Sequence, residues 1–210
     1  MPADLIHLVR HGEVHNPTGV LYGRLPEFHL SERGHRMAEL AAASLEGHPI
    51  TGLRVSPLLR TRESAAPWSA RFHLEPVIDD RLIEPENTFE GVNIRRALRS
   101  NPLLLRHLRN PWKPSWGEAF TSIAARMMDA VADAHASVPA GEVVMVSHQL
   151  PIWMVARTVA HQPLASDPRS RRCSLSSITT IAQRGGEFVE VDYQEPAREL
   201  LAESIDLGAV

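Results

Sequence analysis

A single cysteine, Cys173, stands in the 210 residues, so no intrachain disulfide can staple the fold. A lone thiol fits a reducing compartment. Long apolar runs are missing too: no stretch approaches the ~20 residues that span a bilayer. The Met1-Pro2-Ala3-Asp4 start lacks the basic residues and apolar segment of a signal peptide, and the expectation is a cytoplasmic protein. Neither sign of charge is in large excess. A formal net charge of -3 argues against nucleic acid or an anionic membrane as partner, so any affinity for an anion has to come from a local cluster of cations. There is no internal repeat, no low-complexity segment and no Gly-x-Ser-x-Gly elbow of the serine hydrolases. A cysteine phosphatase would need an arginine six residues after its thiolate, and that position is Thr179. What is present is ordinary for one sizeable globular domain, with 43 % apolar and 22 % charged residues.

Strand-like and helix-like segments alternate. Leu5–Val9, Leu53–Ser56 and Val77–Ile78 read as strands, and Glu142–Val146 is the strongest strand of the chain. Ser31 is placed to cap a helix running toward Leu45. Ser56-Pro57 supplies a capping hydroxyl and a first-turn proline for a helix carrying Arg60. Phe120, Ile123, Met127 and Val131 fall at helical spacing, and a further helix covers Ile152–Val159 with Pro151 near its start. Ile178–Ala182 and Phe188–Tyr193 form a late strand pair around Gly185-Gly186, and the last dozen residues read as a tail. The alternation predicts an α/β protein: a three-layer α/β/α sandwich with a mostly parallel central sheet, covered on both faces. The whole chain, 1–210, reads as a single domain. A cap or insertion is expected around 85–116, where the sequence is irregular and rich in proline, with a short helix near Arg95–Arg99 and with Trp112 and Trp116 lining substrate or packing the insertion.

Ligands of open parallel sheets bind at the carboxyl ends of strands. Three such ends here are polar and cationic: Arg10-His11-Gly12, Ser56-Pro57 with Arg60 one turn on, and Ser147-His148. Two of them lead into helix N-termini, whose free N–H groups favour an anion. A phosphate monoester is dianionic and repels nucleophiles; arginine forks neutralise it and stay charged at any working pH. A neutral imidazole can then attack phosphorus, and a second, protonated histidine can stabilise the equatorial oxygens. His11 is the expected nucleophile and His148 the expected imidazolium. Gly12 is expected to let the backbone turn sharply and approach the ligand. The leaving oxygen needs an acid. Glu84 is the candidate, its pKa raised by the neighbouring phosphate charge, with Glu86 and Glu90 as rivals.

Taken together, Arg10-His11-Gly12-Glu13, Leu30-Ser31-Glu32-Arg33-Gly34, Ser56-Pro57-Leu58-Leu59-Arg60, Glu84 with Phe89-Glu90-Gly91, Gly117-Glu118 with Arg126, and Val146-Ser147-His148 resemble, in order, the landmarks of the histidine phosphatase superfamily, which includes the cofactor-dependent phosphoglycerate mutases. The resemblance implies the phosphoglycerate mutase-like fold, a phosphohistidine at His11, and Arg10, Arg60 and His148 as phosphate ligands. It implies Glu84 as proton donor, no metal and no cofactor. Asn16, Gly23 and Gln149 complete the expected substrate-binding set. Asn87-Thr88 stand where the family has Gly, Ala119 replaces a Ser, and Gln149 replaces a Gly; these departures touch substrate recognition rather than the chemical core. The segment around the acid is short for a mutase, which favours hydrolysis of a small phosphorylated substrate over mutase-type transfer.

Of the other histidines, His7 reads as a packed, hydrogen-bonded strand residue, His15 lies near enough to touch substrate, and His35, His48, His73, His107, His135 and His161 read as surface or capping residues. The basic run Arg169–Arg172 reads as a solvated loop. Two rival functions stay open. A metal hydrolase could use His11 and His15 at helical i, i+4 spacing, although Gly12 and Pro17 oppose a helix there. A phosphate-binding module would need the arginines but no acid. The late edge strand could pair two copies into a homodimer.

Overall fold

The computed structural model describes residues 2–93 and 117–204. The short helix expected at Arg95–Arg99, Trp112, Trp116, His107 and most of the expected insertion lie outside the described residues.

The chain runs β1 (Leu5–Arg10), α1 (Glu32–Ser44), β2 (Ile50–Val55), α2 (Leu59–Phe72), β3 (Val77–Ile78), a 3₁₀ turn (Asp80–Leu82), α3 (Phe120–Ala136), β4 (Glu142–Ser147), α4 (Gln149–Val159), β5 (Ile178–Arg184), β6 (Glu187–Gln194) and α5 (Arg198–Leu201). The six strands form one sheet in the order β3-β2-β4-β1-β5-β6. β1, β2, β3 and β4 pair in parallel, whereas β5 runs antiparallel to both β1 and β6. This is the α/β sandwich with a mostly parallel sheet that the pattern of elements predicts.

Both faces of the sheet are covered, so the central strands are apolar on both sides. Ile6, Leu8, Val143, Met145 and Ile181 pack against Ile123, Met127 and Val131 of α3 and Ile152 and Val155 of α4. Val9, Leu53, Val55, Val144, Val146 and Ile178 pack against Ala41 and Ala42 of α1 and Ala65 and Trp68 of α2. The helix after β1 therefore lies on one face and the helix after β4 on the other, although β1 and β4 are neighbours. Such a divergence marks the carboxyl ends of these two strands as the place where ligands of such sheets bind.

Ser31 caps α1 as expected, its side chain accepting from the Gly34 N–H at 2.9 Å. Three expectations need correction. Helix α2 begins at Leu59, with Leu58 at the cap position and no side-chain cap. The Ser56 hydroxyl is fully buried and bonds His148 instead; a buried ring nitrogen demands a partner more than a helix end does. The C-terminal residues are not all tail: Leu200 and Leu201 of α5 pack on Met37 and Leu175. His135, which reads as a surface or capping residue, lies in the last turn of α3 but is buried, edge-on to the Phe188 ring at 5.4 Å. His73 does cap α2, in the left-handed conformation.

Candidate active site

Parallel pairing in register is what builds the site. Val9 pairs with Val146 and Arg10 with Ser147, and Val55 pairs with Val146 on the other side of β4. The next residues of the three strands, His11, His148 and Ser56, therefore emerge side by side. The His11 and His148 rings sit 5.2 Å apart, and Arg10, His11, Arg60 and His148 are all at most 2 % exposed.

His11 Nδ1 lies 2.8 Å from the carbonyl of Gly12. A carbonyl only accepts, so Nδ1 carries the proton and Nε2 keeps its lone pair. Burial, then the charges of Arg60 and Arg10, hold the His11 pKa well below its ordinary value, so the ring is neutral at neutral pH. Gly12 also has a packing role. Its φ is not positive, and a Cβ there would stand 2.3 Å from the Gly34 carbonyl oxygen. Its missing side chain lets the loop after β1 lie directly on the start of α1.

Each arginine is anchored by a carbonyl. Arg10 Nη1 donates to Cys173 at 2.7 Å, and Arg60 Nη2 donates to Gly23 at 2.7 Å. The Arg60 guanidinium also lies 4.8 Å over the Tyr22 ring and donates to His148 Nδ1 at 3.2 Å. With Nδ1 accepting, His148 Nε2 carries its proton and donates to Ser56 Oγ at 2.7 Å. Burial, then Arg60, His11, Arg10 and Arg126, push the His148 pKa well below its ordinary value. The protein alone thus favours a neutral His148, where an imidazolium was expected.

Glu84 completes the cluster. Its Oε2 is 3.5 Å from His148 Nδ1, and the residue is buried. Burial raises its pKa to about 6, against the opposing charges of Arg60, Arg10, Arg171 and Arg126. Desolvation therefore does what like charge was expected to do. The rival acids are placed otherwise. The Glu86 side chain is 77 % exposed and pairs with Arg24, whereas Glu90 accepts the Arg24 and Asn87 backbone N–H groups and braces the loop.

Not every expected ligand converges. Both ends of the Asn16 carboxamide bond Val20 and close their own loop. Gln149 shares the Cys173 carbonyl with Arg10, at 3.4 Å. Gly23 contributes the carbonyl that holds Arg60. His15 is exposed, and no helix forms over residues 11–15, which removes the helical basis of the metal-hydrolase rival. The expectation of a solvated loop at 169–172 also needs correction: Arg171 is half-buried and its charge reaches Glu84 and Arg10, while Arg172 pairs with Glu190. Sequence reasoning missed Tyr22, Arg171 and the hydroxyls of Ser56 and Ser64; Ser64 Oγ accepts the Gly12 N–H at 3.1 Å. Ser56 stands in the Ser56-Pro57-Leu58-Leu59-Arg60 landmark but reads there as a helix cap, and Ser64 follows that landmark by one turn.

Comparison with known proteins identifies the family and the fold. Residues 6–196 match the family described as the histidine phosphatase superfamily (branch 1). The uncharacterized protein Rv0525 of Mycobacterium tuberculosis is 46 % identical over 200 residues, spanning 94 % of this chain and 99 % of that protein. Phosphoserine phosphatase 1 of Hydrogenobacter thermophilus is 31 % identical over 151 residues, 69 % of this chain and 71 % of that one. Among solved structures, the mycobacterial glucosyl-3-phosphoglycerate phosphatase Rv2419c shares the fold with a TM-score of 0.75 at 24 % identity, covering 91 % of this chain and 98 % of its own.

Proposed function

The chain belongs to the histidine phosphatase superfamily, and from that premise we propose that it hydrolyses a small phosphate monoester through a phosphohistidine on His11. The observation that carries this reading is the pairing of a neutral His11, its Nε2 lone pair free of the Gly12 hydrogen bond, with two buried guanidiniums and a carboxyl of pKa about 6.

Arg10 and Arg60 grip the phosphoryl oxygens. Their carbonyl anchors at Cys173 and Gly23 keep them in position, so little is reorganised when charge builds up. His11 Nε2 forms the N–P bond as the ester P–O bond breaks, and Nδ1–H on the Gly12 carbonyl stabilises the positive charge the ring acquires. Glu84 gives its proton to the leaving oxygen, and the alcohol departs. A water then gives a proton back to Glu84 and attacks phosphorus. The N–P bond breaks, inorganic phosphate is released and His11 regains its lone pair. A dianionic phosphoryl group beside His148 raises that ring's pKa, so His148 becomes the imidazolium donor when substrate binds. No step uses a metal, so turnover persists in the presence of a chelator.

The named relatives point to phosphate esters of small acids such as phosphoserine as the first substrates to screen. The test is turnover of p-nitrophenyl phosphate. His11→Ala lowers kcat by about ten-thousandfold, because the covalent intermediate cannot form, and no acid-labile phosphoenzyme is trapped. Equal rates for wild type and His11→Ala overturn the nucleophile; negligible rates from both on all esters leave a binding module in its place.

A further inference from the structure

A second group of ligating side chains sits at the other end of β1 and β4 from the pocket. His7 Nε2 lies 2.8 Å from Glu142 Oε2, and His48 Nδ1 lies 2.9 Å from the same oxygen. The three ligand atoms all lie within 4.8 Å of one another. Glu142 opens β4 and Ser147 closes it, so this cluster lies toward the opposite end of the central strands from the catalytic histidines. His7 and Glu142 are buried, whereas the His48 side chain is 41 % exposed. The cluster therefore has dry walls and one side open to water.

Three features go beyond a chance ion pair. Two imidazoles on different segments converge on one carboxylate oxygen. The rings stand at 86° to each other with centroids 6.0 Å apart, so their nitrogens point into a shared space rather than stacking. The other nitrogen of His7, Nδ1, lies 3.0 Å from Thr180 Oγ1 on β5. That hydroxyl can accept Nδ1–H and leave the Nε2 lone pair aimed at the cluster, as outer partners do for metal-bound histidines.

We propose that His7, His48 and Glu142 form a site for a divalent transition-metal ion of the zinc class, with water as fourth ligand. Two imidazole nitrogens and a carboxylate suit zinc, whereas magnesium and calcium prefer all-oxygen shells. Tetrahedral bonds of about 2.0–2.1 Å separate ligand atoms by about 3.3 Å. The two nitrogen–oxygen spacings open by about half an ångström to reach this, and the nitrogen–nitrogen spacing, within 4.8 Å, adjusts to the same value, movements that the exposed His48 ring can supply. His48 lies in the turn between α1 and β2, where its own N–H donates to the Leu45 carbonyl at 3.0 Å. A bound ion therefore ties that turn to β1 and β4, raising stability without touching the phosphoryl chemistry.

The test uses the full chain, stripped with a chelator and titrated with zinc sulfate by calorimetry and by thermal melting, with cobalt(II) as a visible probe. The expected result is one tight equivalent, a raised Tm and the intense visible bands of four-coordinate cobalt. His48→Ala, whose exposed position leaves the fold intact, weakens zinc binding at least about tenfold and abolishes the bands. Thr180→Val, which keeps the ligands, weakens binding by about 10–100-fold. Ester turnover is the same in wild type and both variants. A His11→Ala titration in parallel keeps the stoichiometry, which separates this site from the pocket imidazoles. Absence of saturable zinc binding, unchanged binding in His48→Ala, or binding lost in His11→Ala but kept in His48→Ala overturns the site.

Discussion

Glu84→Gln is the most informative perturbation of the pocket. Burial sets the Glu84 pKa at about 6, and kcat/KM reports ionisation of the free enzyme. With that pKa the acid is about 90 % protonated at pH 5, about 9 % at pH 7 and about 1 % at pH 8. For an alkyl phosphate, whose leaving oxygen needs a proton, kcat/KM should fall about 90-fold between pH 5 and pH 8 through this group alone. The glutamine keeps the shape of the side chain but has no acidic proton. It should lower the alkyl-ester rate at pH 5 by about 10²–10⁴-fold and remove the limb near pH 6. On p-nitrophenyl phosphate the same variant should lose far less, because nitrophenolate leaves unprotonated. The assay is kcat/KM against pH for both esters and both proteins. Because the substrate's own second ionisation affects both proteins equally, the difference between the profiles isolates Glu84. A limb near pH 6 surviving in Glu84→Gln, or an equal loss on both esters, refutes the assignment and moves the acid elsewhere.

Ser56→Ala should lower kcat/KM about tenfold, because it leaves His148 Nε2–H buried without its 2.7 Å partner; an unchanged rate would show that the hydroxyl does not hold the ring. Acid should destabilise the fold from about pH 6.5 downward. His7, His11 and His148 have pKa values lowered by burial, so the unfolded chain binds their protons first and the stability present above pH 6.5 is lost as pH falls. Glu84, raised to about 6, works the other way below that value. Three histidines with lowered pKa values oppose one carboxyl with a raised one, so the net loss of stability runs toward acid. Urea unfolding at pH 7 and pH 5.5 measures this, and equal stability at the two values would contradict the burial argument.

The residues themselves determined the local chemistry and the element pattern. A branched apolar run ending in Arg10-His11 is a buried strand feeding a cationic loop wherever it is placed. Ser31 three residues before Gly34 caps a helix through bonds that are local, and the apolar strands required helices on both faces. What a linear reading cannot contain is register and burial. His11 and His148 lie 5.2 Å apart only because β4 inserts between β1 and β2 with Arg10 level with Ser147, a long-range pairing with no local signature. The same holds for Ser56, which reads as a helix cap until His148 is brought beside it, and for Arg171, which reads as a solvated residue until Glu84 draws its charge inward. The neutral His11 and the raised Glu84 are likewise tertiary facts, since a side chain's pKa is set by the water excluded around it and the charges gathered there, and both depend on which distant segments the fold packs around these two side chains.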